Sequence, residues 1–125
     1  MVNTSIEYNG RFLFCRVVGA NTVENVIHYL NDVHHAMEKH NCAKVLIEEN
    51  LSGPGLSVFK MYQIIVTVKK TVLSLPHLIA YVDINPEHDH KSLKFAETVA
   101  LNRYINMRLF ASVTAATEWL ERVSL

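Results

Sequence analysis

The segment "PEHDHK", residues 86–91, sets His88 and His90 among Glu87 and Asp89, with Asp83 shortly upstream. Imidazole and carboxylate together suit a divalent metal ion or acid–base work. Sequence neighbours on a helix do not share a face, however. The expected state is a solvated helix start whose acids lie at the positive end of the helix dipole, and no metal ligands are assigned. His28, Asp32 and His35 recur at helical spacing on the polar side of another segment, where a charged solvent face accounts for them without a metal. Cys15 and Cys42 lack the paired spacing of a metal or redox motif and read as two reduced thiols. His40 is close to Cys42 only along the chain, so no nucleophile–base pair is visible. Glu97 in "FAETVA" is an isolated acid expected to pair with a cation or cap a neighbour. The pattern points to binding rather than catalysis and calls for no cofactor.

The other stretch with chemical potential is "EENLSGPGLS", residues 48–57. A Ser/Gly/Pro loop leading into a helix offers free N–H groups to an anion. The GxxxxGK[ST] phosphate loop is absent, and Glu48 and Glu49 repel a phosphate at close range. A tight turn with Ser57 as helix cap is the plainer reading. An anion or phosphoserine role and a partner contact stay open.

The elements that must position these groups follow from composition and periodicity. The chain of 125 residues is half apolar, which suits one domain over residues 1–125 with a core that needs no metal or disulfide. Basic and acidic residues balance at 12 each, against the basic excess of a nucleic-acid binder. The seven histidines gain charge as pH falls below about 6.5. "MVNTSIEYNG" has neither the basic nor the apolar region of a signal peptide. Lys60, Gln63, Lys69 and Lys70 interrupt the longest apolar segment, so no membrane span is expected, and a cytoplasmic location is.

"SIEY" and "RFLFCRVVG" are strand-like and flank Asn9-Gly10, a hairpin signal because both residues tolerate positive φ. In "ANTVENVIHYLNDVHHAMEKHN", residues Val23, Val26, Ile27, Leu30, Val33 and Met37 recur at helical spacing. Asn21 is the expected cap, with Glu24 as its reciprocal partner. "AKVLIEE" is a buried strand. "LSVFKMYQIIVTVKKTVLS" is too long for a usual strand and predicts a helix ended by Pro76. "HLIAYVDI" is a strand, and a helix opens at Asn85-Pro86. "INMRLFA" and "SVTAATEWLERV" are the last strand and helix, the latter capped by Ser112. The order β-β-α-β-α-β-α-β-α predicts an α/β fold, a mostly parallel five-stranded sheet with helices packed on it and right-handed crossovers.

Ligands gather at the carboxyl ends of parallel strands. That edge should collect Glu48, Glu49, Asn50, Ser52, Asp83, Asn85, His88 and Ser112. Of these, Glu48, Asn50, Ser52, Asp83 and His88, with Ser57, are the candidate ligand or regulatory residues. The helix over residues 56–74 has two apolar rows, Phe59/Tyr62/Val66/Leu73 and Val58/Met61/Ile65/Val68/Val72. One row suffices to cover a sheet. The first is expected to do so, leaving Val58, Met61, Ile65 and Val68 as a candidate homodimer interface. A neighbouring helix or an apolar ligand would also cover them.

The element order, "GLSVF" after the third strand and "FAETVALNRYINMRLFASVTAATEWL" at the C-terminus together resemble the STAS/SpoIIAA-like superfamily. The C-terminal stretch is similar to uncharacterised bacterial SpoIIAA-like proteins, and the CRAL-TRIO lipid-binding domains are related in structure. The resemblance implies a non-enzymatic regulatory or protein-interaction module, or a carrier or sensor of a small apolar, lipid-like ligand. In the anti-sigma-factor antagonists, a serine in a D-S-S-G-L pattern is phosphorylated. Aligning Gly55-Leu56 with that Gly-Leu puts Pro54 in the phosphoacceptor position, with Ser52 and Ser57 displaced, so that chemistry does not carry over.

Overall fold

The computed structural model describes residues 2–71 and 76–123. Nine elements follow one another as β1 (Val2–Tyr8), β2 (Leu13–Ala20), α1 (Val23–His40), β3 (Lys44–Ser52), α2 (Val58–Thr71), β4 (Leu78–Asp83), α3 (His90–Asn102), β5 (Met107–Leu109) and α4 (Val113–Arg122). The expected α/β order is the observed one. The five strands lie in sequence order in one sheet. β1 runs antiparallel to β2, and the other three pairings are parallel. At the hairpin, Gly10 takes φ +89°, and Asn9 Oδ1 accepts hydrogen bonds from the Arg11 and Phe12 amides, both at 2.9 Å.

The strand order fixes where the helices go. Each crossover from β2 to β5 moves one strand on in the same direction, so crossovers of one hand put α1, α2 and α3 on the same face. Alternation along the strands sorts the side chains accordingly. Val45, Ile47 and Leu51 of β3 join Val26, Leu30 and Val33 of α1 and Ile64, Ile65 and Val68 of α2 in one buried cluster. Leu46, Leu78, Ala80 and Val82 face the other way, where Ala116 and Leu120 of α4 cover them.

Four boundaries depart from the sequence reading. Thr22, not Asn21, caps α1: its extended backbone lets Oγ1 accept from the Asn25 amide at 3.1 Å. β3 runs to Ser52, three residues past the expected end, because its pairing with β2 continues through Asn50, Leu51 and Ser52 after the pairing with β4 ends at Glu49. α3 opens at His90 under an Asp89 cap rather than at Asn85-Pro86. Asp83 Oδ1 accepts from the Asn85 amide and Asn85 Oδ1 from that of Glu87, both at 2.9 Å. These Asx turns draw the chain into a loop before the helix begins. β5 keeps only Met107–Leu109 of the expected strand. Ser112 caps α4 as expected, accepting from the Ala115 amide at 3.1 Å.

The two sides of α2 are exchanged relative to expectation. Ile65 is 5 % exposed and packs in the core, while Phe59 is 68 % exposed. Val68 is buried, Met61 is partly buried, and of the expected interface row only Val58 stands exposed. The reason is that α2 packs against α1 and α3. The row that includes Ile65 and Val68, reinforced by Ile64, fills the groove between those helices. Val72 and Leu73 of the expected rows lie outside the described residues.

Candidate functional site

Beneath α2, the ends of β3 and β4 and the adjoining helices line a partly open cavity of about 230 Å³. Its walls are mainly apolar, with Val26, Leu30, Ile47, Leu56, Ile65 and Met107 among the residues that line it. Its polar residues include Tyr29, Glu49, Tyr81, Asp83 and His88. The volume lies between the roughly 150 Å³ cavity that admits benzene and the roughly 300 Å³ at which drug-sized pockets begin. It fits a single ring or a short chain.

Strand alternation puts Glu49 there. Ile47, Glu49 and Leu51 share the face toward α1–α3, and Glu49 pairs across the sheet with Val17 on one side and Asp83 on the other. Glu49 is 4 % exposed. The Tyr29 hydroxyl donates to its Oε2, and the Tyr81 hydroxyl donates to its Oε1 at 2.6 Å. Burial pushes the carboxyl up to about 7; the two tyrosine hydrogen bonds oppose this and the charge of Asp83 adds to it. Both phenols are pushed well above their usual value, first by burial and then by the charge of Glu49. Nearby Cys15 rises to about 12, chiefly through burial.

The second polar group is Asp83 with His88. Nδ1 of His88 stands 2.6 Å from Asp83 Oδ2, and Nε2 stands 3.0 Å from the Gly53 carbonyl oxygen. The nearest partner of each nitrogen is an acceptor, which suits an imidazolium that donates from both; the Asn85 and Asn21 amide nitrogens stand farther from Nε2, at 3.3 and 3.4 Å. Burial alone would lower its pKa. The hydrogen bonds to Asp83 and Gly53 and the charges of Asp83 and Glu49 outweigh that and raise it. With Nε2 against a carbonyl, the ring has no free nitrogen to act as a base on a ligand. His88 instead ties the loop between β3 and α2 to the end of β4. Gly53 helps the loop turn toward it with φ +97°, which few residues other than glycine accept. Asn21 adds a second tie, donating to the Pro54 carbonyl at 3.0 Å.

The expected site residues thus divide. Asp83 and His88 meet at the cavity. Glu48 lies on the opposite sheet face, 3.6 Å from Arg16. Asn50, two residues on, shares that face and is exposed. Ser52 Oγ donates to the Gly19 carbonyl at 3.1 Å, joining β3 to β2. Ser57 Oγ accepts from the Lys60 amide at 3.2 Å and caps α2. Met61 and Ile65, expected at an interface, line the cavity. Glu97 accepts from Lys94 Nζ at 2.9 Å and from the Leu109 amide at 2.6 Å. Among the described residues, no group of three or more His, Cys, Asp or Glu side chains is arranged to hold a metal ion, and no helix is long and apolar enough to cross a membrane.

Tyr29, Glu49 and Tyr81 were the residues missing from the candidate set. Their signal was parity: an acid between Ile47 and Leu51 at strand spacing, and a tyrosine two residues before Asp83, both on the covered face. Tyr29 sits within the apolar stripe of α1, beside Val26, Leu30 and Val33.

No protein-family model matches the chain, and no curated protein matches it. Fold and site together define an α/β module with a partly open cavity, mainly apolar in its walls and with acidic side chains among its polar groups.

Proposed function

We propose that this chain is a non-enzymatic, STAS/SpoIIAA-like binding module whose cavity takes a small ligand with an apolar body. The observation that carries the reading is the cavity itself: apolar walls contributed by the sheet and three helices, with Glu49 and the Asp83–His88 pair among its polar groups. Ligand sites of this kind combine apolar lining with a few fixed polar groups. The doubly held His88 ring supports binding over catalysis. The topology, together with "GLSVF" and the C-terminal "FAETVALNRY…EWL" stretch, supports the family reading. Because His88 ties the 52–55 loop beside the cavity, ligand occupancy has a direct route to a surface a partner protein can read.

Saturable binding of hexan-1-ol, followed by NMR shifts of the Ile47, Ile65 and Met107 methyls, is the test. Binding by the wild type that is lost when Ala96, a lining residue on α3, is replaced by Trp supports the cavity. Equal binding by the folded Ala96→Trp chain, or absence of binding by hexan-1-ol and by its six-carbon amine and carboxylate counterparts alike, overturns it.

A second reading, self-association, is favoured by a different observation. Val58, Phe59 and Tyr62 on α2 and Phe95 on α3 are large, apolar and exposed. A second copy of the chain seated on this outer face would cover them twice over by symmetry. Light scattering on the wild type and on Phe59→Lys/Tyr62→Lys decides it: a wild-type dimer that the folded variant loses supports the interface, and a wild-type monomer removes it.

A further inference from the structure

Donors and acceptors around the cavity are unequally available. Tyr29 and Tyr81 each donate their hydroxyl to Glu49. His88 presents its two nitrogens to Asp83 and Gly53. Asn21 donates to Pro54, and Ser92 donates to Asp89 at 3.1 Å. These are the lining side chains that carry donors, and each of them already has an acceptor of the chain, with only the second N–H of the Asn21 amide, 3.4 Å from His88 Nε2, left without a carbonyl or carboxylate partner. Acceptors remain. Each oxygen of Glu49 receives one tyrosine hydroxyl, and a carboxylate oxygen has room for a second donor.

Charge runs the same way. Glu49 is buried, yet among the described residues it is in no ion pair with Lys, Arg or His. His88 attracts it, but that ring is bound to Asp83. Buried carboxylates are ordinarily paired with a cation. Glu87 and Asp89 also line the cavity without an ion-pair partner among the described residues, while the other two lining acids are paired, Asp83 with His88 and Glu97 with Lys94. A carboxylate or phosphate head would meet this field with at most one amide N–H of Asn21 to receive it. An ammonium head meets open acceptors and an unpaired buried carboxyl.

We infer that the ligand of this cavity is an amine, a primary or secondary ammonium on a small apolar body, with its N–H groups directed at Glu49. The inference rests on the cavity reading above and names the chemical class of what occupies it.

Three probes with the same six-carbon body separate the possibilities: hexylamine, hexan-1-ol and hexanoate, titrated calorimetrically into the wild type slightly above neutral pH. A charge-assisted hydrogen bond exceeds a neutral one by enough to make the amine roughly tenfold tighter than the alcohol, and hexanoate should be weakest. In Glu49→Gln, checked for folding by its NMR spectrum, amine and alcohol should bind alike. Alcohol binding equal to amine binding in the wild type, or hexanoate binding tightest, overturns the ammonium head while leaving the cavity in place. An amine preference that survives in Glu49→Gln overturns the pairing with Glu49. Failure of all three probes overturns the cavity reading and the inference with it.

Discussion

Asp83 Oδ2 lies 2.6 Å from His88 Nδ1, and each side chain is only 2 % exposed. The pair closes the short loop between β4 and α3 and, through Nε2, holds the Gly53 carbonyl of a loop 35 residues away in sequence. Removing one member of a buried pair leaves an uncompensated charge, at about 3–5 kcal/mol. Asp83→Asn and His88→Ala should each destabilise the chain by roughly 3 kcal/mol near pH 6. The double variant should lose clearly less than the sum, since the two act as one unit. Urea denaturation of the four proteins measures this, and simple additivity would show that the contact is incidental.

The exchange of sides on α2 gives a second expectation. Ile65→Ala removes a core side chain and should lose about 2–5 kcal/mol. Phe59→Ala, on the exposed side, should move stability by no more than about 0.5 kcal/mol. Denaturation at low protein concentration, where association is suppressed, compares them. A larger loss at Phe59 would return the sheet-facing role to that row.

The architecture was legible because its signals are local and repeated. Helical spacing in α1, the Asn9-Gly10 turn and the Ser112 cap each stand in a few consecutive residues, and alternating strands and helices imply the parallel sheet. The ends of elements were less legible where tertiary partners decide them: β3 continues past Glu48 and Glu49 to Ser52 because β2 pairs with it that far. On α2, both rows are apolar, so periodicity alone does not tell which one faces inward; the adjoining helices do. Half of the site was visible as Asp83 and His88. Glu49 was half-visible as one of two adjacent acids, but only the strand register tells which of them turns inward, and its tyrosine partners come from elements 20 and 32 residues away.

Ser57 holds the first turn of α2 through the Lys60 amide. Ser57→Ala should destabilise the chain by about 1 kcal/mol, as the loss of a serine cap does, and Ser57→Asp, which also accepts from that amide, should recover most of it. Thermal denaturation of the three proteins checks this. Since Ser52 is likewise engaged, with the Gly19 carbonyl, intact-mass measurement on protein from its native host should find neither serine phosphorylated. A stoichiometric phosphate on either would make the loop a switch.

Stability should fall as pH rises through neutrality. Glu49 is raised from 4.5 to about 7, by burial above all. The folded chain therefore holds this proton more tightly than the unfolded chain does. The associated stability is complete below pH 4.5 and is lost as pH rises through about 7. His88 acts in the same sense: burial lowers it, the Asp83 and Gly53 hydrogen bonds and the neighbouring charges more than offset this, and its value stands above 6.5. Its contribution is complete below pH 6.5 and is lost as pH climbs through the folded value. Glu97 works oppositely. Burial raises it, but the Leu109 amide and Lys94 outweigh burial and hold it below 4.5, so its contribution is present above pH 4.5 and disappears as pH falls through the lowered value. The melting temperature should therefore peak on the acid side of neutrality, between 4.5 and 6.5, the reference values of these groups, and decline toward about pH 8. Glu49→Gln removes one of the two groups behind the decline. Its melting curve should flatten over that range and lie above the wild type at about pH 8, where the wild type carries an ionised buried carboxylate. Circular-dichroism melts of both proteins across this range decide it: a wild-type melting temperature that rises from about pH 6 to about pH 8, or a variant that declines as steeply as the wild type, removes Glu49 as the cause.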